Sequence, residues 1–133
     1  MIFVEKLHLF SCLFMVGVIW KVQIVQYPSF HLIPEEQFRI FHEKHSNRIS
    51  YIVAPAMLLE LICAYWLYYE YGAKYIFDLA SIVLIFIMTA FISVPLHNTL
   101  SLGKNDKTID RLITTNWFRT VLWTAKLLIV FFR

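Results

Sequence analysis

The chain has 133 residues, of which 59% are hydrophobic and 17% aromatic, against about 45–50% apolar residues in an ordinary soluble domain. Charged residues are held to 16% where roughly 25% is usual, and they are absent in blocks rather than evenly thinned, which argues against a soluble globular domain. The net charge of +3 comes from scattered Lys and Arg without a basic run, so composition gives no support to a nucleic-acid partner.

The apolar blocks are each near the ~20 residues that cross a bilayer. The first runs from about 7 to 27. Lys6 followed by the apolar run Leu7–Trp20 has the outline of a signal peptide, but no small-x-small cleavage site follows and apolar character resumes after Lys21. The segment therefore reads as an uncleaved first span. Tyr27-Pro28 closes it, because proline has no amide hydrogen and restricts the residue before it.

The stretch that follows carries three of the five histidines, His31, His42 and His45. Pro34 suits the first turn of a helix, and Glu35 and Glu36 suit its positive end. Phe38, Phe41, His42 and His45 fall on one face, so an amphipathic interfacial helix is expected over about 34–47, stopped by Asn47 or running on into the next span. Span two is expected over about 49–69, with Pro55 and Glu60 inside it and a cluster of Tyr and Trp at its far end. Gly72 turns the chain into span three, about 75–96, which holds Asp78 and Pro95. A polar loop with Gly103 and Lys104 leads to span four, about 112–132, which contains Asn116, Arg119 and Lys126. The expected fold is an all-α, four-transmembrane-helix bundle forming one integral membrane domain over 1–133. Cys12 and Cys63 lie in apolar runs outside any CxxC motif and read as small buried residues.

Four spans put both termini on one side and both polar connections on the other. Arg39, Lys44, Arg48, Lys104, Lys107 and Arg111 flank the polar connections, while Lys6, Lys74 and Arg133 lie at the opposite side. This bias places the polar loops in the cytoplasm. The same topology gathers Gln23, Gln26, His31, His42, His45, Arg48, His97, Asn98, Asn116 and Arg119 at one membrane face; of the histidines only His8 lies at the other.

His42 and His45, three residues apart, are positioned to converge on one ion with His97 closing the site and His31 as a further ligand. Imidazole suits zinc, copper and iron. The competing interpretation is that they are interface residues with polar tips toward headgroups. Glu60 falls near the mid-depth of its span, where a carboxylate needs a partner. Lys21, Arg119 and Lys126 are the candidate cations, and the residue is either a register-fixing ion-pair member or a tuning acid for the site. Arg119 and Asn116 share a face, and the guanidinium offers fixed donors to an oxyanion.

No phosphate loop, dinucleotide fingerprint, nucleophile elbow or HExxH is present. The motifs Gln26-Tyr27-Pro28, the Phe38/Phe41/His42/His45 segment, Val94-Pro95-Leu96-His97-Asn98-Thr99-Leu100 and Asn116-Trp117-Phe118-Arg119-Thr120 resemble the DUF1772 family of small four-helix membrane proteins. That family includes the anthrone-oxygenase-like proteins, which act on apolar polycyclic aromatic molecules. Its Pro-x-Asn-Asn-x-Leu pattern carries His97 here in place of the first asparagine, which strengthens a histidine-based site.

The expected function is a membrane-embedded oxidoreductase, an oxygenase on a lipophilic small molecule entering from the bilayer. His42, His45 and His97 are its metal ligands or acid–base groups, Arg119 and Asn116 stabilise an oxyanion, and Glu60 tunes the site. Copper or iron fits oxygen chemistry and zinc fits hydrolysis or structure; chemistry without a metal is the second choice. The alternatives are a small transporter, in which Glu60, Lys21 and Arg119 line a route to both faces, an accessory subunit, or a metal- or haem-binding membrane protein. A bundle this small is also a candidate for homo-oligomerisation.

Overall fold

A computed structural model describes residues 1–133. The chain is all-helical, without a strand. Helix α1 spans Phe3–Lys21, and Glu5 in its first turn accepts the Ile2 amide at 2.9 Å. A π-helical turn, Val22–Gln26, leads through the short α2, Tyr27–Ser29, and a 3-10 turn, Phe30–Leu32. Helix α3, Glu35–Tyr71, is the longest at 37 residues. Gly72 ends it with φ of 62°, a left-handed conformation that costs a glycine little. A 3-10 turn, α4 (Ile76–Met88), a second π-helical turn (Thr89–Ser93) and α5 (Val94–Leu100) follow. Helix α6, Asp106–Phe132, completes the chain. The Asn105 side chain caps it by accepting the Thr108 amide at 3.0 Å, as short polar side chains do at helix starts.

One expectation needs correction. There are three long helices, not four: α1, α3 and α6 have 19, 37 and 27 residues, while the expected third span is broken into α4 of 13 residues, a π turn of 5 and α5 of 7. Of its two expected forms, the interfacial helix takes the continuous one. It is the first part of α3, which passes Asn47 without interruption. Asn47 is flanked by no Gly or Pro, and the Ser50 hydroxyl donates back to the Ser46 carbonyl at 2.6 Å, an interaction compatible with a continuing helix.

The break in the third segment has a local cause that recurs at the end of α1. In each place a proline stands one residue past the π turn's successor: Tyr27 precedes Pro28 and Val94 precedes Pro95. Proline cannot donate a hydrogen bond, and its ring crowds the carbonyl four residues back. The chain responds by widening. The Tyr27 amide donates to Val22 and the Val94 amide to Thr89, each five residues back. Each wide turn changes the rotation at which Tyr27 and His97 leave their helices, and both side chains meet inside the bundle.

The polarity of the molecule is inverted. Phe10, Phe14, Ile24, Val25, Ile62, Phe91, Phe118, Val121 and Phe131 are exposed, whereas His8, Gln23, His42, Glu60, Asp78, Asn116, Arg119 and Lys126 are buried. Two helical stretches, Phe3–Leu32 and Glu35–Leu100, are long and apolar enough to cross a membrane. The interior is packed in two apolar clusters. Met15, Ile19, Met57, Ala64, Ile82, Ile85 and Trp123 form one. Val22, Tyr27, Phe30, Phe38, Leu100, Ile109 and Leu112 form the other. The polar site lies between them.

Candidate functional site

A cavity of about 150 Å³ sits inside the bundle, walled by α1, the N-terminal half of α3, the second π turn, α5 and α6. Met15, Val18, Ile19, Val22, Ile49 and Val53 make most of it apolar, and Tyr27, His45, Ser93, His97 and Arg119 place polar groups on its wall. A second cavity of about 270 Å³, nearer the polar loops, is lined only by polar residues, among them Arg39, His42, Ser46, His97 and Asn98. His97 borders both.

His97 is also the centre of a hydrogen-bond chain. Its Nε2 is 3.1 Å from the Tyr27 hydroxyl and its Nδ1 is 2.9 Å from His42 Nε2. Ser46 Oγ approaches the same His42 nitrogen at 3.5 Å. Each link needs one donor and one acceptor, so the protons have two consistent orders. In one, Tyr27 donates to His97 and His97 donates to His42. In the other, both donations are reversed. Changing from one to the other moves a proton along the chain between the apolar cavity and the polar one. In either order the chain ends at His42 Nδ1, which is buried and has no partner.

Aromatic packing fixes the rings. Phe30, fully buried, meets Phe38, Phe41, His42 and His45 edge-on at centroid distances of 6.0, 6.0, 5.8 and 5.1 Å. Phe38 stacks on His42 at 5.8 Å. The face shared by Phe38, Phe41, His42 and His45 thus closes around one phenyl ring from the preceding turn.

Arg119 is held from the other side. Its Nη1 donates to Ser93 Oγ at 3.0 Å and to Asn116 Oδ1 at 3.3 Å, and its guanidinium lies over the Trp123 ring at 5.5 Å. Asn116 donates to Gln23 Oε1 at 2.8 Å, and Thr120 donates to the same oxygen at 2.9 Å. Asn116 therefore positions Arg119 and does not itself line the cavity.

The structure brings His42, His45, His97 and Arg119 together, and it separates Glu60 and His31 from them. Glu60 accepts from Lys126 at 2.6 Å and from Trp123 at 3.0 Å, with both members of the ion pair wholly buried. Of the three candidate cations, Lys126 is its partner. Lys21 is exposed and Arg119 bonds elsewhere.

His31 is turned toward α6. Its Nδ1 meets Asp106 at 2.9 Å and its Nε2 meets Asp110 at 2.8 Å, and Lys104 ties down the adjoining carbonyls of His31 and Ile33. The Asp106 hydrogen bond, opposed by partial burial and reinforced by Asp110, raises the His31 pKa above its ordinary value. With both ring nitrogens spent on carboxylates, His31 is not a ligand for an ion at His42. His8, isolated in the sequence, lies 3.2 Å from Asp78, which also accepts from Arg133 at 2.7 Å.

No group of three or more His, Cys, Asp or Glu side chains converges on a common point. Two nitrogens on one tetrahedral ion at about 2.0–2.1 Å stand about 3.3 Å apart, so His42 and His97 need only a small separation to chelate. They would then lose the hydrogen bond between them, and His45, whose ring stacks 6.4 Å from that of His97, would have to turn in as third ligand.

Sequence reasoning did not single out Tyr27, Phe30 or Ser93 as site residues. The signal for Tyr27 and Ser93 was the pair of prolines, each with a polar side chain one or two residues ahead of it. Family models, characterised proteins and solved structures were compared with the chain, and none matches it.

Proposed function

We propose that the chain is a four-pass membrane oxidoreductase that removes a proton from a small lipophilic molecule and passes its electrons to dioxygen. The observation that carries this is the position of His97, on the wall of a mostly apolar cavity and in a hydrogen-bond chain running to His42, which borders a polar one. A molecule in the cavity gives its proton to His97 Nε2 through the Tyr27 hydroxyl, or directly once that hydroxyl turns away, and His97 Nδ1 passes a proton on to His42. General bases so placed contribute about 10²–10⁴-fold. Arg119 faces the cavity and receives the negative charge that the substrate acquires, with Asn116 and Ser93 holding it. An acyl or metal step is not needed for a carbanion or phenolate to react with oxygen. Copper or iron, if bound by His42 and His97 with His45 turned in, would supply the redox step, and His97 would then serve as a ligand in place of a base.

The inverted polarity supports the membrane placement. A water-soluble molecule does not leave Phe10, Phe91, Phe118 and Phe131 exposed while burying Glu60 and Lys126. Four crossings need the third to be made of α4, the π turn and α5 together, 25 residues from Ile76 to Leu100, which is long enough. The charge bias puts the polar cavity on the cytoplasmic side. The Glu60–Lys126 pair, wholly buried and bonded by Trp123, favours a site closed toward the termini over a route through the bundle. The resemblance to the anthrone-oxygenase-like proteins rests on short motifs and agrees with this chemistry.

The test is oxygen uptake by detergent-purified protein supplied with 1-naphthol, whose oxidation to 1,4-naphthoquinone consumes one O₂ and releases one water. Uptake that falls at least about 100-fold in His97→Ala fits the proposal. Uptake that is absent in the native protein, or equal in the variant, refutes it.

A further inference from the structure

Helix α6 presents Arg119 and Lys126 to the interior at a spacing of seven residues, and Arg133 follows seven further on, just past the helix end. Seven residues are close to two helical turns, so Arg119 and Lys126 lie on one face at successive depths, and Arg133 stands beyond its last turn. Two are neutralised. Lys126 pairs with Glu60 from α3 at 2.6 Å, and Arg133 pairs with Asp78 from α4 at 2.7 Å. The third is not. Arg119 is only 6% exposed, and no carboxylate stands within ion-pair distance of it. Its partners are the neutral Ser93 and Asn116 and the face of Trp123, with the Tyr27 hydroxyl also close by and no carboxylate among them. Its Nε is buried and without any hydrogen-bond partner.

A guanidinium does not give up its proton at such a site, so its charge stays. A buried charge that lacks a counter-charge is unfavourable, and the other two cations of the row show how this chain meets that demand. What stands where the third carboxylate belongs is the cavity bounded by Tyr27, His45, Ser93 and His97. The Tyr27 hydroxyl is engaged by His97.

We infer that the cavity beside Arg119 binds a small lipophilic molecule already carrying a carboxylate, which supplies the missing counter-charge. The apolar wall of Met15, Val18, Ile19, Val22, Ile49 and Val53 takes its hydrocarbon part. The guanidinium on the cavity wall takes a carboxylate oxygen, and guanidinium–carboxylate hydrogen bonds are among the stronger ones available. This rests on the proposed function in placing the ligand in the same cavity, and it extends the substrate class from neutral molecules such as 1-naphthol to lipophilic acids, whose carboxylate takes the place at Arg119 that the developing charge of a neutral substrate takes. The carboxylate is fixed by Arg119, and the carbon or hydroxyl that reacts is then the part of the molecule near His97.

The experiment is equilibrium binding to the full chain in detergent, followed by naphthalene fluorescence, with 1-naphthoate and its uncharged counterpart 1-naphthalenemethanol. Neither needs to react, so the result does not depend on oxidation. The expected result is at least tenfold tighter binding of the carboxylate by the native protein. The preference disappears in Arg119→Gln and persists in Ser93→Ala, which keeps the guanidinium. It is retained in part in Arg119→Lys, which also shows whether loss in Arg119→Gln reflects charge or misfolding. Equal binding of acid and alcohol overturns the inference. So does a preference that survives Arg119→Gln, or chloride alone at physiological concentration displacing all the naphthoate. Naphthoate binding without any oxidation of 1-naphthol leaves the carboxylate site standing and removes the oxidase. Oxidation of 1-naphthol with no preference for the acid does the reverse.

Discussion

His42 and His97, from helices α3 and α5, share a hydrogen bond of 2.9 Å between Nε2 and Nδ1. Neither residue reaches this geometry alone. Phe30 and Phe38 hold the His42 ring, and the wide turn ahead of Pro95 sets the direction of His97. Cutting the chain on either side of His97 therefore has different expected effects. His42→Ala removes the onward acceptor and slows turnover by about 10²-fold, the lower end of general acid–base effects, while Tyr27→Phe removes a hydroxyl but keeps the ring and the packing and slows it by about tenfold, below that range. Steady-state oxygen uptake with each variant checks the order. Equal effects, or none, contradict a directional relay.

The Glu60–Lys126 pair is expected to matter for stability rather than for turnover per folded molecule. Each single change, Glu60→Gln or Lys126→Met, leaves one buried group without its partner and should cost about 3–5 kcal/mol. Replacing both, as Glu60→Leu with Lys126→Leu, should cost much less than the sum. Reversible unfolding in mixed detergent micelles measures all three. A double variant as unstable as the two singles added together would contradict a closed pair.

The clamp at His31 gives a pH dependence. Asp106 and Asp110 raise the pKa of the folded imidazole above that of the unfolded chain. The stabilisation is thus fully present below the unfolded value and is lost as pH rises through the folded one. The groups are partly exposed, so the effect is small and salt weakens it. Stability should fall slightly from mildly acid to mildly alkaline pH in the native protein, and this component should be missing in His31→Gln. A variant with an unchanged profile would place the dependence elsewhere.

Topology is tested by labelling. The natural thiols Cys12 and Cys63 are buried and should be quiet toward a membrane-impermeant maleimide in intact vesicles. Single cysteines at Ser101, in the polar loop, and at Ala73, beside Gly72, are expected on opposite sides. Labelling of both from one side would rule out four crossings.

Much of the helical content was legible because apolar blocks, prolines and Gly72 mark it directly. The Phe38/Phe41/His42/His45 face was legible from its spacing, and it packs around a common centre. Whether the interfacial segment ends before span two or runs into it was not, because Asn47 is a weak stop signal and nothing else interrupts α3. The π turns were not legible either. A proline in an apolar run predicts a disturbance, but whether the helix kinks, ends or widens depends on what its neighbours can accommodate. The partner of Glu60 was narrowed to three cations by depth, and only the rotation of α6 selects Lys126. His31 illustrates the limit of counting histidines at a face. It lies at the expected end of the bundle, yet two aspartates one helical turn apart on α6 capture its ring.

The central claim is that His97 takes a proton from a carbon or oxygen acid in the apolar cavity and hands it to His42. The most direct measurement is anaerobic exchange of the acidic C–H of 2-tetralone with D₂O, which needs the base but no oxidant. The native protein should accelerate deuterium incorporation above the buffer rate, and His97→Ala should return it to that rate while keeping the native fold. Exchange that is the same in buffer, native protein and His97→Ala would contradict proton abstraction at this site.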